Sequence, residues 1–556
     1  MILTHNTVLP PDLRAQVAAD PTIGGGNLLP ALLALNPFPD EPFIKSLIPI
    51  PYLDGETRTE FSLRDLNHLV QSWSAWYWEQ GVRPRDRIAV FLPDSIAYFV
   101  HYSAIAQLGA IAVLINSKAP RETAVALCER TGAIGLYTDA ERLGRIAADV
   151  PKLALRWTTT MEEVPGPVSA TLPEEARFRH HPDDPVGLMH SSGTTGLPKP
   201  TIHTHRTIVA GPKFRVVDYK EDSNALIMTA LPQSHQGCIA FTSYAVLGGQ
   251  PFLPWRDVDG EELATAIAEH QPTMVMAFGH AYPEMAALPP SRGGLDSVNF
   301  WVSIGDAVHE RHIKNVLGRR SPERAPSAFL DRLGTTELGW GVLLKPRTLK
   351  TERSDRCVGR SVGFGQVAIV RENGTLAAPY EFGYLGAQPP SLTPGYWGDP
   401  DTTYRSMLAG YWLTGDIAYR DEEGNFYQVD RAIDVVHTAE GPLYSVQAEE
   451  LVLNEIPGVE ECTIVAGVNG LENVAVAVVT GDVDPEKVLM SANAALRPLG
   501  RGPALAMVEV ADEDSDYPVG LTGKSLKRFL RAKYADLPTY LSNRAGKNLA
   551  TSDSLT

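Results

Sequence analysis

The stretch His190–Pro200, HSSGTTGLPKP, sets four hydroxyl side chains and two glycines ahead of a lysine held between two prolines. Neither a core strand nor a core helix calls for that composition. Glycine lets a backbone come close to a ligand with its N–H groups turned inward, and serine and threonine add hydroxyl donors. A lysine at the end adds a full positive charge, so the segment reads as a cradle for an anion, and in an acidic protein the natural anion is a polyphosphate. It is not the GxxxxGK(S/T) phosphate loop. The chain's matching triplet is Gly523-Lys524-Ser525, and the place of the first glycine is taken there by Pro518. The plain alternative is a surface loop, which is what short Gly/Ser/Thr clusters between periodic segments usually are.

Outward from this segment, apolar strand-like runs alternate with helical patterns. RIAVFLP (87–93) precedes a helical segment, GEELATAIAEH (260–270) precedes TMVMAFG (273–279), and NFWVSIGDA (299–307) precedes HERHIKNVLGR (309–319). Such alternation predicts an α/β fold: a large N-terminal domain, 1–430, of layered, mostly parallel sheets and helices. Beyond it, VEECTIVAGV (459–468), VAVAVVTG (474–481) and EKVLMSANAAL (486–496) predict a small, mobile C-terminal α+β domain, 431–545. The polar end, 546–556, is expected to be disordered. Ile96–Asn116 carries no formal charge and imitates a membrane span, but His101, Tyr102, Ser103 and Gln107 lie inside it and Gly109 interrupts it. It reads as a core helix ending near Gly109 and a buried strand after it.

The formal charge of −17, from 49 basic and 66 acidic side chains, argues against nucleic acid or an anionic membrane as partner. A chain this acidic that binds an anion must concentrate its cations locally. Its four cysteines, Cys128, Cys238, Cys357 and Cys462, form no CxxC pair, so neither a cysteine metal site nor a disulfide framework is expected. The first residues, MILTHNTVLPPDLR, lack the basic start and apolar run of a secretory signal. A cytoplasmic location is the expectation.

SSGTTGLPKP resembles the phosphate loop of the adenylate-forming (ANL) superfamily, and further segments match in that family's order. LGTTE (333–337) resembles its aromatic-Gly-x-Thr-Glu segment. PGYWGDP (394–400) and GYWLTGDIAYRDEEGNFYQVDR (410–431) resemble the stretch leading to its ribose-binding Asp and Arg. PVGLTGKSLKR (518–528) resembles the segment with its catalytic lysine, and FSLRDLNHLVQSWSAWYWEQGVRPRDRIAVFLPDS (61–95) fits upstream. The resemblance runs from about Phe61 to Tyr534 and points to the acyl-CoA ligase branch.

That resemblance implies roles. Ser191, Ser192, Gly193, Thr194, Thr195 and Gly196 would hold the β- and γ-phosphates of ATP, with Lys199 assisting. Gly305, Asp306, Leu333, Gly334 and Thr335 would line the nucleotide. Thr336 would touch the α-phosphate and Glu337 would ligate Mg2+. Asp416 would accept both ribose hydroxyls, Arg431 would bond the ribose from the domain boundary, and Tyr427 would cover the base. Lys524 would bridge the substrate carboxylate and the α-phosphate, and its loss should cost about 3 kcal/mol, on the order of a hundredfold in rate. His235 would sit beside the carboxylate and the thiol tunnel. Each has an ordinary alternative: Asp416 as a turn cap, Lys524 as a solvated lysine beside Lys527 and Arg528, Glu337 as a helix-start carboxylate, His235 as a structural histidine. Their ordered co-occurrence favours function.

Two departures matter. Leu333 stands where the family has an aromatic that stacks on adenine. After Arg431 the run is RAIDVVHTAEGPLYSVQAEE, so Ile433 occupies the polar hinge position, and Ala439-Glu440, followed by Gly441 and Pro442, replaces a glycine pair. In the family that loop lines the pantetheine tunnel, and proline narrows its permitted shapes. Acyl-AMP formation is therefore expected, and these departures count against the thioester-forming half-reaction with CoA.

Leu231–Gly249 holds no acidic residue to pair an ammonium, which disfavours an α-amino acid. The pocket positions implied are His235, Phe278, Gly279, His280, Gly305, Leu333, Gly334 and Trp340, apolar or small apart from imidazole, and they suit an apolar, bulky or polycyclic carboxylic acid of secondary metabolism. The activated acid would pass to CoA, a carrier protein or a second ligase. The rival readings are a full acyl-CoA ligase and a silent nucleotide- or acyl-binding paralogue. A homodimer is the expected assembly.

Overall fold

The computed structural model describes residues 6–190, 198–219, 221, 225–256, 259–289, 294–305, 308–352, 354, 356–497, 504–511, 517–518 and 525–552. Two large sheets enclose a layer of helices. The first runs in the order Trp157–Thr160, Gly135–Thr138, Arg87–Phe91, Ile111–Leu114, Pro185–His190, Pro200–Thr204, parallel except for the last pair. The second is longer and mixed. Its parallel centre is Ala328–Leu333, Phe300–Ile304, Met274–Phe278, Ile227–Ala230, Phe252–Trp255 and Ile44–Pro51. Antiparallel strands continue it on one side through Leu343–Arg347, Cys357–Ser361, Phe426–Arg431 and Tyr411–Arg420.

Helices Leu63–Glu79, Ala97–Gln107, Thr207–Val217 and Gln236–Gly248 supply the shared core, in which Tyr102, Ile208, Phe241 and Trp340 join Val90 and Met189 of the first sheet and Met276 and Val302 of the second. Local sequence sets their limits. Ser62 and Asp65 form a reciprocal cap at the start of Leu63–Glu79. His235 caps Gln236–Gly248, and Gly249 ends it in the left-handed conformation (φ 64°). Every residue of Ala97–Gln107 is buried, the chain turns at Gly109 (φ 69°), and Ile111–Leu114 follows as a buried strand. This is the predicted helix and strand, and among the described residues no helix is long and apolar enough to cross a membrane.

Residues 436–537 build a separate core. Cys462–Asn469 pairs antiparallel with Glu472–Val479, which pairs parallel with Leu505–Val510. Helices Ser445–Glu455 and Pro485–Leu496 pack Val452, Leu453 and Ala492 against that sheet. The final helix runs Leu537–Ser552, so the backbone stays helical through the start of the segment expected to lack order. All four cysteines are free and buried.

Candidate active site

Four loops meet at the carboxyl ends of adjacent parallel strands, where open α/β sheets hold their ligands. Ile227–Ala230 leads to His235, Met274–Phe278 to Gly279 and His280, Phe300–Ile304 to Gly305, and Ala328–Leu333 to Gly334–Glu337. His235 Nδ1 accepts from the Gly237 N–H at 3.1 Å, which leaves the ring proton on Nε2 in the neutral form. Its ring stands edge-on to Phe278 at 5.2 Å, and His280 lies 6.2 Å from the same phenyl ring. Gly305 has φ 89°, a conformation that favours glycine, and a Cβ there would sit tightly, 3.1 Å from the Phe278 ring. The structure thus gathers His235, Phe278, His280 and Gly305 around one aromatic ring, with Gly279 buried beside it. Trp340 forms a wall: it stacks on Phe241 at 4.7 Å and covers Gly211 so closely that a Cβ there would lie 2.4 Å from the indole.

The phosphate-loop residues Ser191, Ser192, Gly193, Thr194, Thr195 and Gly196 lie outside the described residues, as do Asp306 and Lys524. What flanks them is defined. His190 and Pro200 are paired across the antiparallel ribbon, so the loop leaves and returns at one point. At its end, the Lys199 ammonium sits 5.1 Å from the Tyr396 ring centre. Tyr396 donates its hydroxyl to Glu337 Oε1 at 2.8 Å, and the Glu337 carbonyl accepts from the Thr393 N–H at 2.8 Å. Burial and the adjacent Glu337 push the Tyr396 hydroxyl far above its ordinary range, so it remains a donor. Lys199, Tyr396 and Glu337 therefore form one cluster of a cation, a phenol and a carboxylate.

The turn carrying Thr336 is held by the Thr335 hydroxyl, which accepts from the Leu338 N–H at 3.2 Å, and by the Thr335 carbonyl, which accepts from Gly339 at 3.1 Å. Gln236 Nε2 donates to the Gly339 carbonyl at 2.7 Å and ties the turn to the first turn of the His235-capped helix. Gly334 must be glycine, because a Cβ would lie 2.9 Å from the Trp340 carbonyl oxygen. Leu333 ends its strand half-buried, its side chain packed with Leu338 and Val342.

Asp416 is buried in strand Tyr411–Arg420, directly opposite Arg431 in the register. Its Oδ1 accepts from Gln428 Nε2 at 2.9 Å and from Arg431 at 3.2 Å, and its Oδ2 accepts from the Thr414 hydroxyl at 2.6 Å. The charge is compensated, and Oδ2 keeps a lone pair for one further donor such as a ribose hydroxyl; a second ribose hydroxyl would take the place of Gln428 or Arg431 on Oδ1. A single carboxylate such as Glu337 fits Mg2+, which takes one or two protein carboxylates and completes its shell with phosphates and water. Tyr427 stacks flat on Tyr419 at 4.7 Å and donates to Asp421 at 3.0 Å; its neighbour Gln428 is the residue that reaches Asp416.

Sequence reading passed over several residues. Gln428 and Tyr396 act through side-chain bonds that no spacing announces. His203, three residues past Pro200, is fully buried, and among the described residues neither ring nitrogen is hydrogen-bonded; burial with the nearby His235 drives its pKa down to about 3. It is a neutral imidazole behind His235. Arg332, beside Leu333, is the other omission; a basic residue inside an apolar strand is the signal that was available.

The sequence model for AMP-binding enzymes matches residues 34–397. A 3-aminoavenalumate diazotase from a Streptomyces species is 34% identical over 510 residues, covering 90% of this chain and 87% of that protein. A 3-amino-2-hydroxy-4-methoxybenzoate diazotase from Streptomyces cremeus is 26% identical over 75% of this chain and 80% of its own length. Among solved structures, the anthranilate CoA ligase AuaEII in complex with anthranoyl-AMP superposes with a TM-score of 0.79 at 17% identity, over 93% of this chain and 98% of that one.

Proposed function

The chain belongs to the AMP-binding enzymes, which use ATP to activate an acid as its adenylate, and from that premise we propose that the acid is nitrous acid and that the activated nitrogen is delivered to the amino group of an amino-arene carboxylate. The observation that carries this reading is the kinship over nine-tenths of the chain with a diazotase, supported by a second diazotase relative. Diazotisation adds one nitrogen at the oxidation level of nitrite to an aryl amine. Nitrite is planar, singly charged and two-oxygened, like the carboxylate an adenylating site accepts.

The steps balance without an external oxidant or reductant. A nitrite oxygen attacks the α-phosphorus, the bond to the bridging oxygen breaks, and pyrophosphate leaves. The amine lone pair then attacks the nitroso nitrogen, the N–O bond to phosphate breaks, and AMP leaves with the nitrite oxygen. The N-nitrosoammonium so formed loses its two amine protons and the second nitrite oxygen as water, giving the diazonium. Asp416 and Arg431 would hold the ribose, Lys199 and the 191–196 loop the outer phosphates, Thr336 the α-phosphate, and Lys524 would neutralise the oxygens at the forming bond. Glu337 would hold Mg2+, which supplies charge neutralisation when bound. His235, neutral with its proton on Nε2, is suited to orient the acid.

The 436–443 region supports loss of the thioester step. Val436–Thr438 and Gly441–Leu443 pair as a tight hairpin, with Ala439-Glu440 at its tip and Pro442 opposite His437. Thr438 closes it by donating its hydroxyl to the Gly441 carbonyl at 2.9 Å. A closed hairpin is poorly suited to receive a pantetheine arm. A second reading keeps the carboxylic acid itself as the activated group, passed on to CoA, a carrier protein or a second ligase; the aromatic wall of Phe278, Phe241 and Trp340 favours an aryl acid in that role.

One assay separates them. Purified protein is given ATP, Mg2+, nitrite and 3-aminobenzoate or 3-aminocinnamate, and the diazonium is trapped as an azo dye with 1-naphthol. AMP and dye are expected only when all components are present. Pyrophosphate release on the arene acid with nitrite omitted, followed by a thioester on adding CoA, would overturn the proposal.

A further inference from the structure

A diazotase acting on an amino-arene acid must bind a carboxylate that does not react, and it needs a cation set apart from the nucleotide to do so. Arg332 is such a group. It lies on Ala328–Leu333, a strand bonded on both sides. Leu330, two residues earlier and therefore on the same face, packs into the core that holds Phe241, Tyr244 and Trp340. Arg332 thus projects toward helix Gln236–Gly248, one residue short of the Leu333–Glu337 turn. The side chain runs past Gly341, where a Cβ would meet its Cβ and Cδ at 3.6 Å.

Its surroundings leave the charge uncompensated. Arg332 Nε is buried and makes no hydrogen bond. Among the described residues the one carboxylate acting on it is Glu221, and that carboxylate is already engaged by the Arg215 guanidinium and by the Tyr244 hydroxyl at 3.2 Å. Two guanidiniums therefore share one carboxylate. Burial first, and the like charge of Arg215 second, lower the Arg332 pKa to about 10. A guanidinium kept in such a place without its own counterion is arranged for an anion that arrives from outside.

We propose that Arg332 anchors the unreacted carboxylate of the acceptor, so that an amino-arene acid lies with its carboxylate toward Arg332 and its amine toward the nucleotide. This orientation is opposite to that of an acid activated at its own carboxylate, and it rests on the diazotase reading.

The test uses the full-length protein with ATP, Mg2+ and nitrite, and compares 3-aminobenzoate with 3-aminobenzamide as acceptors by azo-dye yield. Dye from neither acceptor removes the parent reading. With dye formed, the wild type is expected to favour the carboxylate in kcat/KM by roughly 10- to 100-fold, the range of a charge-assisted hydrogen bond. That preference should fall to about one in Arg332→Met and recover partly in Arg332→Lys, with the change in the acceptor KM rather than in the ATP KM. Equal use of acid and amide by the wild type would overturn the anchor, and so would an Arg332→Met enzyme that keeps the preference. If Arg332→Met fails to fold, the wild-type acid-to-amide ratio and its decline in high salt decide the matter alone.

Discussion

Glu450, on helix Ser445–Glu455 of the smaller core, receives His309 Nδ1 from the larger one, and the same carboxylate accepts from the Glu310 N–H at 3.4 Å with Arg356 at 3.8 Å. Burial alone would lower the His309 pKa, but Glu450 outweighs it and holds it above the ordinary histidine value. Burial would raise Glu450, but His309 and Arg356 outweigh that and hold it below the carboxylate range. A histidine with a raised folded pKa contributes fully at low pH and loses that contribution as pH rises through its folded value. A depressed carboxylate loses its contribution as pH falls. The contact is therefore strongest in mildly acidic solution and weakens toward alkaline pH. Hydrogen exchange in residues 308–313 and 445–455 should speed up between pH 6 and 9 beyond the intrinsic base dependence. His309→Gln should remove that excess; an unchanged excess would show that His309 is not the titrating group.

Asp416→Asn should weaken ATP binding by roughly 10- to 100-fold, since charge-assisted bonds to the ribose would become neutral ones. The amide would also meet donors from Thr414, Gln428 and Arg431 that now converge on a carboxylate. Gln428→Leu should cost less, because it removes one supporting donor and leaves the charge. Calorimetric titration with ATP measures both. A Gln428 variant weaker than the Asp416 variant would contradict the assignment.

How much of this was legible beforehand follows from how far each signal reaches along the chain. The alternation of RIAVFLP with helical segments is local physics, and the parallel strands formed as read. Gly305 and Gly334 are legible as glycines from the sequence, and the packing gives a local reason for each: a left-handed φ of 89° at Gly305 and the Trp340 carbonyl 2.9 Å from a Cβ at Gly334. Bonds across the fold carry no such mark. Tyr396 reaches Glu337 across 59 residues, and His309 reaches Glu450 across 141. The apolar pocket was expected from positions around Leu333, but strand periodicity gives the direction of Arg332 and not what it faces.

Gly334→Ala should impair turnover more than stability. The added methyl would lie 2.9 Å from the Trp340 carbonyl and 3.0 Å from the Gly341 Cα, backbone atoms that cannot swing aside. Overpacking of this kind costs about 1–3 kcal/mol. The displaced segment carries Thr336 and Glu337, so kcat should fall by roughly 5- to 150-fold if that cost appears in the transition state, by the 1.4 kcal/mol-per-decade relation. Steady-state pyrophosphate release read alongside the melting temperature separates the two effects.

Lys527 lies partly buried at the junction of the two cores, its ammonium 2.8 Å from Glu449 and 2.7 Å from the Ser445 hydroxyl, and with Asp430 in its field. Burial works against its charge, but Glu449 and Asp430 outweigh this and raise its pKa. Asp430 accepts from the Ser445 N–H at 2.5 Å and the Ser445 hydroxyl at 2.9 Å, and burial raises its pKa to about 6. Lys527→Met keeps the bulk of the side chain and strands two carboxylates, so it should destabilise by about 3–5 kcal/mol, the cost of breaking a buried pair from one side. The loss should depend on pH with a defined sign. An acid whose folded pKa is raised binds more protons folded than unfolded, so stability falls as pH rises from about 4 toward about 6. Without the cation, which lowers the Asp430 pKa, Asp430 holds its proton to higher pH, and that decline should extend upward toward neutrality. Thermal unfolding of wild type and variant at pH 5 and pH 8 reads this directly. The gap in melting temperature should be larger at pH 8, and equal gaps at the two values would mean that Lys527 does not compensate these carboxylates.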